Sequence, residues 1–201
     1  TNVFVHGSNL DRLVAEMESE LDKISTWMIS NRLSLNIDKT NFIIFRSHRK
    51  QINQIRPMKI SGKEIAQVNE TKFLGVTLDK NLTFEHHIRT VHTKVAKGIG
   101  IISKARKLLN SDTLLSLYNT FVYPYLIYCL ETWGSSTKTH MMSLVKLQKR
   151  IVRVIANTSR RAHTAEIFHK HKILNIDQIS LYILGSFMYK FNKHMLPPVV
   201  N

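Results

Sequence analysis

The feature that most constrains the fold is a change in the spacing of apolar residues close to residue 31. From residue 10 to residue 28, apolar side chains recur every three or four positions with acids on the other faces, which predicts an amphipathic helix. From Leu33 to Ile37 they alternate with polar neighbours, and Phe42–Phe45 is a short continuous apolar run; both patterns are typical of strands. With a further strand predicted at Val3–Val5, this region should fold as strand, helix and strand.

The rest of the chain predicts an α+β protein that becomes helical after residue 83. A hairpin is predicted to turn at Gly62, and Phe73–Leu78 is predicted as the next strand. Helical spacing then covers residues 84–109, 111–125, 141–155 and 176–194. The aromatic residues at helical spacing are predicted to lie in the core: Trp27, Tyr118, Phe121, Tyr125 and Trp133.

Five residues predict how the first two of these later helices begin, bend or pack. Thr83 and Ser111 should cap their starts, because a hydroxyl can accept a bond from a free backbone N–H. Gly98 and Gly100 weaken the middle of the first helix and predict either a kink or close packing. Pro124 removes a backbone donor and should bend the second.

The net charge is unevenly distributed along the chain. The formal net charge is +15; six acids against four bases give residues 1–40 a charge of −2, so the remainder carries +17. Between Glu85 and Asp112 there is no acid, although Lys, Arg and His are frequent. Because like charges on one helix repel each other, this region predicts a polyanionic partner, with a merely solvated basic face as the alternative.

Several kinds of site are not predicted. Cys129 is the only cysteine, which excludes an internal disulfide, and its apolar surroundings in sequence predict packing rather than reactivity. His163, His169, His171 and His194 lack a cysteine or carboxylate framework at metal spacing, so no zinc site is expected. No apolar run approaches the ~20 residues of a membrane-spanning helix, so no membrane partner is expected.

Two sequence runs carry a resemblance to a known family. Residues 33–45 read LSLNIDKTNFIIF, and residues 72–88 read KFLGVTLDKNLTFEHHI. The first resembles the strand–turn–strand that follows the active-site hairpin in reverse transcriptases of non-LTR, LINE-type, Jockey-like retrotransposons. The second resembles the primer-grip hairpin of the same palm. The resemblance covers nearly the whole chain and implies part of an RNA-directed DNA polymerase, a nucleotidyltransferase.

The resemblance also implies an organisation. It implies a partial palm of short antiparallel strands and one amphipathic helix at 1–83, a mostly helical thumb at 84–135, and a basic helical extension at 136–201. In the family, two metal-binding aspartates directly precede the strand that resembles TNVFVHG. The chain is therefore expected to be a fragment that needs the missing amino-terminal fingers and palm as a partner. Alone it is expected to bind no cofactor and to be inactive, whereas the complete enzyme should use Mg²⁺.

Lys39 is the candidate catalytic residue. It lies in an Asn-X-X-Lys-Thr motif, and the resemblance implies that it acts as general acid for the leaving pyrophosphate. The alternative is that it is solvated at a turn or pairs with Asp38. The resemblance implies a primer grip formed by Phe73, Leu74 and Gly75, with a packed core strand as the alternative.

The basic residues that follow are predicted to bind the RNA template, the DNA primer and their hybrid. The first block comprises Arg89, Lys94, Lys97, Lys104, Arg106 and Lys107, and the second comprises Lys146, Lys149, Arg150 and Arg153. The partner of the second block is either template RNA or target DNA. The alternative function is a non-catalytic nucleic-acid-binding or scaffold protein derived from such a polymerase. A retrotransposon protein is expected inside the cell, in the nucleus or the cytoplasm.

Overall fold

The computed structural model describes residues 1–52 and 55–197, and it combines long helices with short strands, which confirms the α+β class. The helices in this part of the chain are α1 Leu10–Ser30, α2 Glu85–Ala105, α3 Ser111–Phe121, α4 Tyr123–Ile127, α5 Leu130–Trp133, α6 Lys138–Ile155, α7 Ala165–Lys170 and α8 Ile176–Asn192. The strands are β1 Asn41–Phe42, β2 Lys59–Ile60, β3 Lys63–Glu64, β4 Ala66–Gln67, β5 Glu70–Phe73 and β6 Val76–Asp79. The chain divides into two compact units.

The first unit comprises Thr1–Lys72 and Asp79–Leu82. Its helix α1 begins where the Asn9 side chain accepts a hydrogen bond from Arg12 N at 3.0 Å, which satisfies one of the free N–H groups of a helix start. The predicted amphipathic helix is confirmed. The buried members of the small core that it faces are Val14, Leu21, Met58, Ile60 and Ile65.

Two strand pairs belong to this unit. β2 and β3 are antiparallel and turn at Ser61–Gly62, as predicted. β1 and β4 instead run parallel, with Asn41 opposite Ala66, so the prediction of antiparallel strands is wrong for this pair. A parallel pair needs a long connection between its strands, and residues 43–65, which contain the β2–β3 hairpin, provide it.

The predicted strands that precede β1 are wrong. Residues 1–9 form no strand, and Phe4 is exposed. Residues 33–37 form none either, because Asn36 starts a 3-10 turn at Ile37–Lys39: its side chain accepts from Lys39 N at 3.2 Å. Such local bonds from side chain to backbone compete with a strand ladder. The strand predicted at residues 42–45 is reduced to Asn41–Phe42.

The second unit comprises Phe73–Leu78 and the chain from Thr83 onward, of which the structure describes residues up to Pro197. Helix α2 lies at its centre and packs against α3, α4 and α6. A Cβ atom on Gly98 would lie 2.6 Å from Phe121 O, so α2 and α3 approach too closely for a larger residue. Close packing is therefore observed at Gly98, and α2 continues past it to Ala105.

The helix boundaries differ from the sequence pattern in small ways. Asn110, not Ser111, caps α3, because its side chain accepts from Thr113 N at 2.9 Å. Thr83 Oγ1 accepts from Glu85 N at 3.4 Å, although Phe84 occupies the N-cap position of α2. Instead of the bend predicted at Pro124, the helix breaks at Val122, and Pro124 lies in the first turn of α4. Helices α5 and α7 were not predicted, since four and six residues are too few to show a period.

The core prediction is only partly right. Tyr118 and Trp133 are 1% and 0% exposed, and Cys129 packs against the core, as predicted. Trp27, Phe121 and Tyr125 are 59%, 40% and 41% exposed, so that prediction is wrong for these three residues. Helical spacing places a side chain on a stripe but does not decide whether another element covers it.

Within the described residues, no helix is long and apolar enough to cross a bilayer.

Candidate nucleic-acid interface

The outer side of α2 is basic. We define the α2 basic face as the exposed residues Arg89, Lys94, Lys97, Lys104, Arg106 and Lys107, the last two just beyond the helix end. They are exposed because the apolar residues of α2 occupy the opposite side, against the core. Arg89 forms an ion pair with Glu85. In the part of the chain that the structure describes, no carboxylate lies within 4.0 Å of the other five cations, so their charge faces solvent.

Exposed aromatic rings border this face. Lys94 Nζ lies 5.2 Å from the centroid of the Tyr125 ring, a cation–π contact. Phe121, whose carbonyl oxygen lies over Gly98, is also exposed. Cations beside exposed rings are typical of surfaces that bind nucleic-acid backbones and stack bases. Sequence reasoning missed this feature because it assigned both aromatic residues to the core. Pro124 was the available signal, since a proline between them favours two helices over one.

The structure places Phe73, Leu74 and Gly75 at the turn of a hairpin. The prediction of one strand from Phe73 to Leu78 is wrong: β5 ends at Phe73, and β6 begins at Val76. Leu74 and Gly75 have φ values of 45° and 87°, a left-handed pair that reverses the chain in two residues. The Leu74 side chain is 73% exposed at this turn.

Tyr128 holds the turn. Its hydroxyl donates a hydrogen bond to Leu74 O at 2.5 Å, and a Cβ atom on Gly75 would lie 3.3 Å from the Tyr128 ring. Glycine thus serves both the left-handed backbone and the close approach of the ring. The pKa of Tyr128 is raised, first by the charge of neighbouring Cys129. A tyrosine hydroxyl is protonated at neutral pH in any case, so it can act as the donor to Leu74 O.

A second contact holds the same hairpin at β6. Thr77 N donates to His87 Nδ1 at 3.3 Å, and the His87 ring packs edge-on against Trp133 with centroids 5.5 Å apart. Trp133 Nε1 donates to Tyr128 O at 2.8 Å. The two contacts therefore converge on one buried indole. We call His87, Tyr128 and Trp133 the hairpin anchor.

His87 must be neutral to play this part. Burial, and then the charge of Lys94, lower the pKa of His87 below its ordinary value. The ring is buried and its Nε2 atom has no hydrogen-bond partner among the described residues. A proton on Nδ1 would remove the acceptor that Thr77 N uses.

The second basic block lies on α6. Lys146, Lys149 and Arg150 are exposed. Arg153 is half-buried, and its guanidinium donates to Ala162 O at 2.8 Å and to Lys149 O at 3.2 Å, so part of it holds the following loop in place. The exposed members of the block differ from Arg153 in this respect, because their charges are directed to solvent.

The buried side of α6 carries a polar group that the sequence pattern placed in the apolar stripe. Gln148 donates to Tyr118 OH at 3.2 Å and to Leu174 O at 2.9 Å, and it accepts from Ile176 N at 2.9 Å. It thereby links α6 to α3 and to the start of α8. Burial raises the pKa of Tyr118 to about 12.

Lys39 lies in the first unit at the end of the 3-10 turn. Its side chain is exposed, and in the described part of the chain no carboxylate, Asp38 included, lies within 4.0 Å of its Nζ. The turn is fixed from its first residue, since Asn36 accepts bonds from both Lys39 N and the Thr40 hydroxyl, the latter at 2.8 Å. The lysine is thus held at a rigid turn and is available to an anion.

No metal site is assembled by the residues that the structure describes. Within residues 1–52 and 55–197, no three His, Cys, Asp or Glu side chains lie close enough together to hold an ion. These described residues therefore do not fit a catalytic metal centre.

Comparison with known proteins gives several relatives at modest identity. The chain is 27% identical over 155 residues to the RNA-directed DNA polymerase from mobile element jockey of Drosophila funebris, covering 75% of the chain and 16% of that protein. It is 24% identical over 198 residues to the jockey polymerase of Drosophila melanogaster, covering 96% and 21%. It is 29% identical over 137 residues to the probable polymerase from transposon X-element of the same species, covering 66% and 15%.

The chain thus spans about a fifth or less of the length of these curated relatives. No family model and no solved structure matches it. The relatives confirm the resemblance seen in the sequence, because they cover most of the chain and share one activity by name. The chain is accordingly related, at modest identity, to the RNA-directed DNA polymerases of the Jockey, X-element and BS non-LTR retrotransposons.

Proposed function

We propose that this chain contributes the primer grip and the thumb of an RNA-directed DNA polymerase, with template RNA, primer DNA and their hybrid as ligands. The relatives support a fragment of such a polymerase. The finer assignment rests on one observation: the anchored turn within Phe73–Leu78 and the α2 basic face belong to the same compact unit. The complete polymerase would add the fingers and the rest of the palm, and would use Mg²⁺.

The primer-grip assignment is supported by the way the hairpin is built. A group that positions a primer end must keep its own geometry, since a displacement of about 1 Å can cost about 10²-fold in rate. The Leu74–Gly75 turn is fixed through Tyr128, and the exposed Leu74 side chain is free to contact a sugar. Gly75 lets the backbone approach a ligand on its open side.

The thumb assignment is supported by charge. Five cations of the α2 basic face have no carboxylate within 4.0 Å in the described part of the chain, and like charges on one helix cost a few tenths of a kcal/mol for each close pair. A phosphate backbone would relieve that repulsion. Tyr125 and Phe121 add stacking surfaces beside the cations.

The test is hybrid binding as a function of salt. With about six phosphate contacts, the logarithm of the affinity should fall with the logarithm of the salt concentration at a slope of about −5. Replacing Lys94, Lys97 and Lys104 together by Gln should weaken binding and reduce that slope by up to about 3. A wild-type slope near zero would remove the thumb assignment.

Lys39 is proposed as the general acid for pyrophosphate departure in the complete polymerase. A cation at a rigid turn can donate a proton and offset the developing charge. Lys39→Ala should lower the single-turnover rate of nucleotide addition by about 10²-fold with little change in primer–template affinity. An unchanged chemical rate would leave Lys39 with a purely structural role.

A further inference from the structure

A groove of about 640 Å³ runs between α2 and α6 in the second unit. His92 lines it from α2, and α6 contributes Lys138, Met142, Lys146 and Arg150, which follow one another at intervals of four residues. Residues four apart lie one above the other on a helix, so these side chains form a single row. At 1.5 Å per residue, the row from Lys138 to Arg150 is ~18 Å long.

The groove is positively charged along its whole length. Lys138, Lys146 and Arg150 carry positive charge at neutral pH. Among the described residues, no acid lines it. Glu85, at the start of α2, is engaged by Arg89 and lies 3.7 Å from His140. A ligand in the groove therefore meets cations without a competing carboxylate.

The same row contains apolar surface between its charges. Met142 is 48% exposed in a position flanked by Lys138 and Lys146, and Leu147 also lines the groove. A thioether adapts its shape to flat, polarisable partners. Alternating charge and apolar surface suits a ligand that alternates phosphates with flat bases.

We propose that the α2–α6 groove binds single-stranded nucleic acid, with the phosphates along Lys138, Lys146 and Arg150 and a base on Met142. A single strand can enter a channel between two packed helices, whereas a duplex is too wide and presents its phosphates to convex surfaces such as the α2 basic face. This proposal rests on the nucleic-acid binding proposed above but concerns a different strand and a different surface. It gives two members of the second basic block, Lys146 and Arg150, a ligand of their own.

The test compares two variants that lose the same charge. The groove variant replaces Lys138, Lys146 and Arg150 by Gln; the matched variant replaces Lys94, Lys97 and Lys104 by Gln. Each is titrated with a labelled oligouridine and, separately, with an RNA–DNA hybrid of the same length. The groove variant should bind oligouridine about 30-fold more weakly than wild type and lose about 2 units of salt slope, while its affinity for the hybrid falls less than about threefold. The matched variant should show the opposite preference.

Each outcome is decisive. Equal losses of oligouridine affinity in both variants would mean that net charge, and not the groove, holds the strand, and the proposal would be wrong. Retained oligouridine affinity in the groove variant would overturn it as well. A wild-type chain that binds oligouridine through the groove but fails to bind hybrid would refute the thumb assignment and leave the groove intact.

Crosslinking provides a readout that does not depend on charge. Oligonucleotides carrying 4-thiouracil, as RNA and as DNA, should crosslink to the wild-type chain within residues 138–150. If the RNA and the DNA oligonucleotide both crosslink efficiently, the groove recognises the phosphate backbone of either strand. If only the RNA oligonucleotide crosslinks, the ligand is a single-stranded RNA such as the template. Crosslinks confined to the α2 basic face would place the single strand there and reject the groove.

Discussion

The two units each contain a helix of 21 residues, yet the two helices are embedded very differently. In α1, Val14 and Leu21 are buried, and the helix packs on the short strand β2. In α2, seven residues are buried, because α3, α4 and α6 surround it. Both helices show the same apolar period in sequence. The spacing of apolar residues thus predicts a helix, but the number of elements that pack against the helix decides how much of its surface is buried.

The difference in burial between the two units should appear in their resistance to denaturant and in where their polar contacts lie. Hydrophobic burial stabilises roughly in proportion to the apolar area removed from water, so the second unit should resist denaturant more strongly than the first. The polar contacts differ in the same direction. Gln148 and Tyr118 bond inside the second core, whereas the first unit relies on surface contacts such as the 2.6 Å ion pair of Arg56 with Glu18.

The largest expected effect is that of Trp133→Ala. The indole is fully buried and joins both contacts of the hairpin anchor, so its removal should lower the free energy of unfolding by about 3–5 kcal/mol. The matched change in the first unit, Trp27→Ala, removes an exposed side chain and should cost less than about 0.5 kcal/mol. Urea denaturation followed by circular dichroism measures both. Similar costs would mean that the two units do not differ in packing.

Gln148→Ala should have the next largest effect. It leaves the buried Ile176 N and the buried Tyr118 hydroxyl without this partner and removes the bond to Leu174 O, which together should cost about 2–3 kcal/mol. Glu18→Gln, which breaks the ion pair with Arg56 at the surface of the first unit, should cost less than about 1 kcal/mol. If Glu18→Gln proved the more costly, the contrast between buried and surface polar contacts would be wrong.

The pH dependence of stability should also separate the units. Because the pKa of His87 is lowered in the folded state, the unfolded state binds the proton more tightly. Neutral His87 therefore makes its full contribution to the free energy of unfolding above about pH 6.5. That contribution is lost as the pH falls through the lowered pKa of the folded state, by about 1.4 kcal/mol for each unit by which the pKa is lowered. His87→Gln should flatten the stability profile below pH 6.5. Denaturant titrations from pH 8 to pH 5 check this.

Among the changes in the second unit, Tyr128→Phe should have the smallest effect on stability. The hydroxyl bond to Leu74 O contributes about 1 kcal/mol or less, because Tyr128 is partly exposed. The turn should nevertheless open more often, so hydrogen exchange at Val76 and Thr77 should accelerate severalfold. Tyr125→Phe is the control, since the ring under Lys94 survives that change. Unchanged exchange in Tyr128→Phe would mean that the hairpin keeps its geometry without this tyrosine.

The sequence predicted the long elements and missed the short-range reversals. The helices predicted at Leu10–Met28 and Ile176–His194 are present, because the helical spacing of apolar residues and the capping residues at the helix starts both indicate them. The turn at Leu74 was missed because leucine rarely adopts positive φ, and the Tyr128 contact that accompanies this turn joins residues 54 positions apart. The 3-10 turn at Asn36 was missed because one side-chain bond outweighed the alternation around it. The two basic blocks could be predicted from the charges in the sequence. The aromatic rings beside the α2 basic face and the α2–α6 groove could not, because both depend on tertiary packing.

The placement of the two tryptophans gives the molecule a built-in pair of optical probes. The indole of Trp27 is already in water, while that of Trp133 is sealed inside the helical unit and stacked edge-on against His87. Unfolding of the helical unit should therefore shift the emission of Trp133 to longer wavelength and leave that of Trp27 nearly unchanged. Acidification should quench Trp133 selectively, since a protonated imidazole is an efficient quencher of a neighbouring indole. Opening of the contacts around the hairpin can thus be followed by intrinsic tryptophan fluorescence, without a label and in the presence of nucleic acid.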